Sequence, residues 1–302
     1  MKQLTLKESF TLSGKGLHTG AMIEATFCPA PENHGYKLLR TDVEDAAPID
    51  AVAENVVASN RGTVVGKGAL TVSTIEHALA ALYACGVDNC LIKLTGGEMP
   101  ILDGSAKPFY DAIQTVGLEE QKVDKEYFYV KHKIEVVNAE TGSKLMLLPD
   151  DDFSVDVKVN FESPVLANQY ATLDNIADFG TEIAPSRTFV FVREIEPLMQ
   201  ANLIKGGDLD NAIVIYDSPL GQEQLDRIAD AVGAPHITPD SYGYLNPKPL
   251  SNDNEPARHK LMDLIGDLAL IGRPLKGRVI ATRPGHTITT PLAKKIHNDI
   301  RR

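Results

Sequence analysis

Ten consecutive residues constrain this chain more than any other stretch: Arg258, His259, Lys260, Leu261, Met262, Asp263, Leu264, Ile265, Gly266 and Asp267. Leu261, Leu264, Ile265 and Leu268 recur at the spacing of one helical face, so the segment predicts a buried helix. His259, Asp263 and Asp267 stand four residues apart on it, and side chains so spaced lie about 5–6 Å apart at Cβ. A helix that turns an imidazole and two carboxylates inward must neutralise them, because buried charges are paired or avoided. A divalent metal gripped by His259 and Asp263 is the economical answer.

At 302 residues the chain exceeds the usual single core, and two compact domains of about 100–170 residues are expected. Hydrophobic content of 43% and charged content of 24% mark a globular chain rather than a disordered or fibrous one. A net charge of −11 argues against nucleic acid, whose phosphates demand a basic surface. An anionic small substrate would need a local cluster of Lys and Arg. No apolar run reaches membrane-span length, and Lys and Glu within Met1 to Phe10 exclude the apolar core of a signal peptide, so a soluble, cytoplasmic protein is expected. Cys28, Cys85 and Cys90 form no CxxC and read as buried thiols.

The first third alternates strand-like runs with glycine turns. Ile75, Leu79, Leu82 and Cys85 then share one face between Ser73 and Gly86, which predicts a helix opened by a Ser73–Glu76 capping box and stopped by Gly86. A strand over Asn89 to Leu94 and a second helix near Lys107 to Val116 follow. Residues 117–125 are polar and aperiodic, which places a boundary between an N-terminal α+β domain (1–124) and a C-terminal one (125–302). Strands are expected near 127–137, 144–148 and 153–161. Residues 189–250 read as an insertion with a helix at 221–232, and the metal-binding helix starts after Asn254 with Pro256 in its first turn. Each half thus carries an apolar helix with a His near its start, then a glycine and an apolar strand. That shared order hints at two similar α+β layers facing each other.

His77 beside Glu76, His259 with Asp263, and His286 supply the inventory of a catalytic zinc site, with three protein ligands and an open fourth position. HExxH is absent, which argues against the metalloprotease arrangement. Each element alone has a plainer reading. Glu76 suits a capping box, His259 with Asp263 suits a helix-stabilising pair worth a few tenths of a kcal/mol, and the whole set suits a structural ion network in a metal-free binding module.

Together, five strings occur in one order: Thr74-Ile75-Glu76-His77-Ala78-Leu79, Ile101-Leu102-Asp103-Gly104-Ser105, Ser186-Arg187-Thr188-Phe189, Arg258-His259-Lys260 with Asp263, Gly266 and Asp267, and Gly285-His286. With Gly16-Leu17-His18-Thr19-Gly20 near the start, they span essentially the whole chain. The set resembles the zinc-dependent UDP-3-O-acyl-N-acetylglucosamine deacetylases of lipid A biosynthesis. The resemblance implies an α+β fold of two similar layers packed face to face (a β-α-α-β sandwich), each with a small insertion and the active site between them. It implies Zn2+ on His77, His259 and Asp263, with Glu76 as general base toward water on the metal. Thr188 would stabilise the oxyanion, and His286, oriented by Asp267, would be the second catalytic imidazole.

The implied substrate is UDP-3-O-[(3R)-3-hydroxyacyl]-N-acetylglucosamine, an acylated UDP-GlcNAc, hydrolysed to the free amine and acetate. Lys260 and Phe189 would bind it near the metal, Lys144 and Arg283 would hold its diphosphate, Phe161 would lie beside the uracil, and Ile195 and Leu209 would line the acyl passage. Val190 stands where the family often has Gly, and the loop after Gly285-His286 departs from the family near Thr289. Another amide or a phosphoester remains an alternative substrate. Some members continue into a 3-hydroxyacyl-carrier-protein dehydratase, and the finish at Arg301-Arg302 fits a chain cut from such a fusion.

Overall fold

The computed structural model describes residues 1–238 and 240–300. The end of the expected second domain at 302, and the expectation attached to Arg301-Arg302, lie outside the described residues. Among those described, seven α-helices occur: α1 (Glu76–Ala84), α2 (Lys107–Val116), α3 (Phe179–Glu182), α4 (Val192–Gln200), α5 (Gln222–Val232), α6 (Glu255–Ala269) and α7 (His286–Ile300). No helix among them is long and apolar enough to cross a membrane.

Two sheets repeat one topology. In the first, the spatial order is Phe10–Lys15, Met22–Pro29, Cys90–Leu94, Tyr36–Arg40 and Ile49–Asp50; in the second it is Ile134–Asn138, Ser143–Leu148, Leu275–Thr282, Phe153–Asn160 and Asn168–Leu173. In each, the central strand runs antiparallel to one neighbour and parallel to the other. A parallel neighbour requires a crossover, commonly a helix. α1 lies in the first crossover and α6 in the second, so both helices belong to the inner layer of a two-sheet sandwich, where they pack on each other.

The strands follow period-two burial. In Phe153-Ser154-Val155-Asp156-Val157-Lys158-Val159-Asn160, the odd-numbered apolar residues are buried and the even-numbered polar ones are partly exposed. α6 is instead buried nearly all round, because it is enclosed by α1, α7 and the second sheet. Fully burying each of Leu261, Leu264, Ile265 and Leu268 stabilises by about 1.5–3 kcal/mol. One apolar core runs through this contact, from Phe27 and Ile92 via Leu79 and Leu82 to Ile265, Val155 and Val279. The two layers are halves of a single core, since neither inner helix can cover its outward face without the other.

Each half carries its insertion. Strands Val56–Ala58, Val64–Lys67 and Leu70–Val72 form a small sheet in the first. Strands Phe189–Phe191, Ile213–Tyr216 and Gly243–Tyr244, with α4 and α5, form another in the second, with apolar clusters of its own.

Four expectations change. Residues 118–124 form a strand paired antiparallel with Lys2–Leu6; its charged side chains conceal a backbone pairing supplied from the other end of the sequence. The capping box does not form: α1 starts at Glu76 with no side-chain cap, and the Ser73 hydroxyl donates to the Gly97 carbonyl. His286 begins α7 rather than a loop, although Pro291 lies inside that helix. Of the three thiols, only Cys90 is fully buried, while Cys28 and Cys85 are half-buried.

Candidate metal centre and acid–base pair

The first turn of α1 meets the last third of α6 because Gly266 has no side chain. A Cβ there would lie 2.0 Å from the Glu76 carbonyl oxygen. That approach brings Glu76 and His77 against the face bearing His259, Asp263 and Asp267. His77 Nε2 lies 3.6 Å and His259 Nε2 3.4 Å from Asp263 Oδ1, and the two imidazoles stand perpendicular with centroids 5.1 Å apart. All three candidate ligand atoms fall within 4.8 Å of one another.

Two of the three groups, His259 and Asp263, are held in the form a metal needs. His259 Nδ1 donates to the Ser186 carbonyl at 3.1 Å, which leaves the Nε2 lone pair facing Asp263. Burial pushes the His259 pKa down to about 3, so the ring is neutral. Burial opposes the charge on Asp263, yet the Lys260 ammonium, 2.9 Å from Oδ2, holds its carboxyl well below the usual range. Among the described residues, Asp263 Oδ1 is buried with no hydrogen-bond partner. An ionised oxygen left so is expensive, and two imidazole nitrogens approach it, so the donor set fits a divalent metal.

A second group adjoins the first. His286 Nδ1 donates to Asp267 Oδ2 at 2.8 Å, and His286 Nε2 lies 3.9 Å from Glu76 Oε1. Burial alone would lower the His286 pKa, but the Asp267 carboxylate and its hydrogen bond, aided by Glu76 and Asp263, raise it to about 9. Glu76 is pushed the other way for its type: burial raises its pKa, which makes it a better proton acceptor than a solvated carboxylate. The pair therefore combines a buried carboxylate with an imidazolium.

The flanking residues divide into two sets. Phe189 stands edge-on to His259 with centroids 6.1 Å apart, Lys260 Nζ lies 5.6 Å from the Phe189 centroid, and Phe161 meets Phe189 at 5.5 Å. Thr188, Phe189, Ile195 and Leu209 line one cavity with His18 and Val232. The structure thus brings the expected oxyanion residue and the expected acyl-passage residues to one wall. Lys144 instead pairs with Glu135 on the adjacent strand. Arg283 donates to the carbonyls of Asn160 at 3.2 Å and Thr141 at 3.3 Å. Neither shares a hydrogen bond with the imidazole–carboxylate cluster.

Two contributors escaped the sequence reading. Thr63 is fully buried; its amide donates to Glu76 Oε2 at 3.0 Å and its hydroxyl to Asp267 Oδ1 at 2.6 Å. Glu255 accepts from Arg187 Nε at 2.9 Å and from the Arg187 amide at 2.9 Å, which ties the Ser186-Arg187-Thr188 segment to the start of α6. Thr63 carries no periodic or motif signal. Glu255 could have been found as the only acidic residue beside Pro256 where the helix opens.

The family described as UDP-3-O-acyl N-acetylglycosamine deacetylase matches residues 3–232 and 231–298. A protein of Bacteroides thetaiotaomicron named bifunctional enzyme LpxC/FabZ is 57% identical over 301 residues, covering 100% of this chain and 65% of that protein. A Porphyromonas gingivalis protein of the same name is 57% identical over 300 residues, covering 99% of this chain and again 65% of the relative. A UDP-3-O-acyl-N-acetylglucosamine deacetylase of Myxococcus xanthus is 37% identical over 298 residues, covering 98% of this chain and 87% of the relative. The chain therefore spans a little under two thirds of the length of the bifunctional relatives.

Proposed function

From the premise that this chain belongs to the UDP-3-O-acyl N-acetylglycosamine deacetylase family, we propose that it is a zinc-dependent amidohydrolase. Its substrate is UDP-3-O-[(3R)-3-hydroxyacyl]-N-acetylglucosamine, and its products are the free amine and acetate. The observation that carries the reading is the unpartnered Asp263 Oδ1 facing two imidazole Nε2 atoms, with Glu76 and His286 beside it. His77, His259 and Asp263 would hold the zinc, which supplies Lewis-acid polarisation of the acetamide carbonyl and acidifies the attacking water.

The chain's own groups perform the rest. Glu76 takes a proton from the attacking water as its oxygen bonds to the carbonyl carbon. Thr188 donates from the cavity wall to the developing oxyanion; loss of one such donor costs about 3 kcal/mol in other enzymes. The carbon–nitrogen bond then breaks, and His286 gives its Nε2 proton to the departing amine while Asp267 keeps the ring oriented. Lys260 neutralises Asp263 and, with Phe189, borders the sugar. Phe161, Lys144 and Arg283 are assigned to the nucleotide, and Ile195 and Leu209 to the acyl chain. The division into N-terminal (1–124) and C-terminal (125–302) domains, a cytoplasmic location and a covalent dehydratase partner belong to the same reading. The names of the bifunctional relatives support the partner. Zinc stoichiometry paired with acetate release tests the whole: one zinc per chain and acetate from the acylated nucleotide sugar but not from its unacylated analogue is the expected result. A chain that binds no zinc, or that hydrolyses both sugars alike, refutes it.

A further inference from the structure

Thr63 lies between the strands Val56–Ala58 and Val64–Lys67, in the insertion of the first half and 204 residues before Asp267. Its hydroxyl has one proton to give. Asp267 Oδ1, at 2.6 Å, can only accept, so the proton points there. The Thr63 oxygen then faces His286 Nδ1 at 3.1 Å, and that N–H is shared between Thr63 Oγ1 and Asp267 Oδ2. Ring plane and tautomer are thereby fixed, with Nε2 directed toward Glu76. The same residue's amide holds Glu76 Oε2 at 3.0 Å.

The backbone that presents Thr63 is itself constrained. Arg61 adopts φ +63° and pairs with Glu194 of α4 at 3.0 Å. A Cβ on Gly62 would lie 3.1 Å from Glu76 Oε1, so this stretch rests against the carboxylate it orients. We propose that Thr63 is the positioning residue of the acid–base pair, fixing Glu76 through its amide and Asp267–His286 through its hydroxyl. Only the kinetic arm of the test rests on the deacetylase reading.

Thr63→Val keeps the β-branched shape and removes only the hydroxyl. In the zinc-loaded full chain it should bind zinc normally, keep KM within roughly twofold and lose kcat by about 10²-fold, the lower end of general acid–base contributions. Thr63→Ser should restore kcat to within about threefold of wild type, since the hydroxyl returns. A second readout is independent of turnover: the downfield His286 Nδ1 proton, assigned by its loss in His286→Gln, should be protected in wild type and Thr63→Ser and lost to exchange in Thr63→Val. If Thr63→Val fails to fold, Thr63→Cys, with a weak S–H donor of similar size, must show the same pair of losses. Wild-type kcat with an unchanged proton in Thr63→Val overturns the proposal, as does Thr63→Ser falling as far as valine. A wild-type chain that releases no acetate, while valine alone loses the protected proton, refutes the deacetylase reading and leaves the positioning role supported.

Discussion

Gly266→Ala tests whether the metal centre depends on the approach of α6 to α1. The new Cβ would stand 2.0 Å from the Glu76 carbonyl oxygen, where ordinary contact begins at 3.4 Å, so the backbones must part by roughly 1.4 Å. The Cβ is fixed to one helix backbone and meets the backbone of the other, so no rotamer change can absorb the clash. Overpacking of this kind destabilises by about 3 kcal/mol at the upper end of its usual range, and alanine's better helix propensity returns about 1 kcal/mol. The net loss of about 2 kcal/mol lowers Tm by roughly 4 °C in a chain of this size.

The larger effect falls on the metal. His77 comes from α1 while His259 and Asp263 come from α6, and ligand distances in a sound metal site lie within about 0.2 Å of their usual values, far less than the helices must part. Differential scanning calorimetry with and without zinc, beside metal stoichiometry, reads both effects. Wild type should gain stability on zinc addition, by about 2.7 kcal/mol at a hundredfold excess over Kd, whereas Gly266→Ala should show little gain and substoichiometric metal. An alanine variant with wild-type stoichiometry and an undiminished zinc-induced rise in Tm would refute the reasoning.

Other expectations follow from the same geometry. Glu76→Gln should keep zinc and lose turnover by about 10²–10⁴-fold; undiminished kcat removes its role as base. Asp263→Ala should lose metal affinity because the buried oxygen facing both imidazoles is gone, and full occupancy by metal analysis would mean that another ligand serves. The raised pKa of His286 means that its proton is present at neutral pH and is lost as pH rises. A nearby cation lowers that pKa, so the alkaline limb of kcat should fall between 6.5 and about 9. Asp267→Asn should move the limb to lower pH, and an unmoved limb in the pH–rate profile contradicts the assignment. Glu255→Gln leaves Arg187 buried beside a neutral partner and should destabilise by up to about 3–5 kcal/mol, visible as a lower denaturant midpoint.

Much of the site was legible because its signals are local. The apolar spacing of 258–268 and of 75–85 predicted α6 and α1, and the four-residue interval from His259 to Asp263 put two candidate ligands on one face before any fold was known. Even the repeat of helix, glycine and strand in both halves was readable, since each follows from short-range periodicity. The motifs carried His77, Glu76 and His286 with them. α7 was hidden for an opposite reason: threonines and Pro291 are poor helix formers, and the burial of Ile288, Leu292 and Ile296 overrode them.

The sequence by itself determined which residue types the chain could place on two buried helices, and so which atoms were available to a metal. Tertiary structure alone decided that these helices touch at Gly266, that Thr63 reaches Asp267 from a distant insertion, that Glu76 accepts from that insertion rather than capping its own helix, and that residues 118–124 pair with the amino-terminal strand. The reason is range. Helix and strand periodicity is written in neighbours a few positions apart, whereas these contacts join segments brought together only when the two layers close over one core.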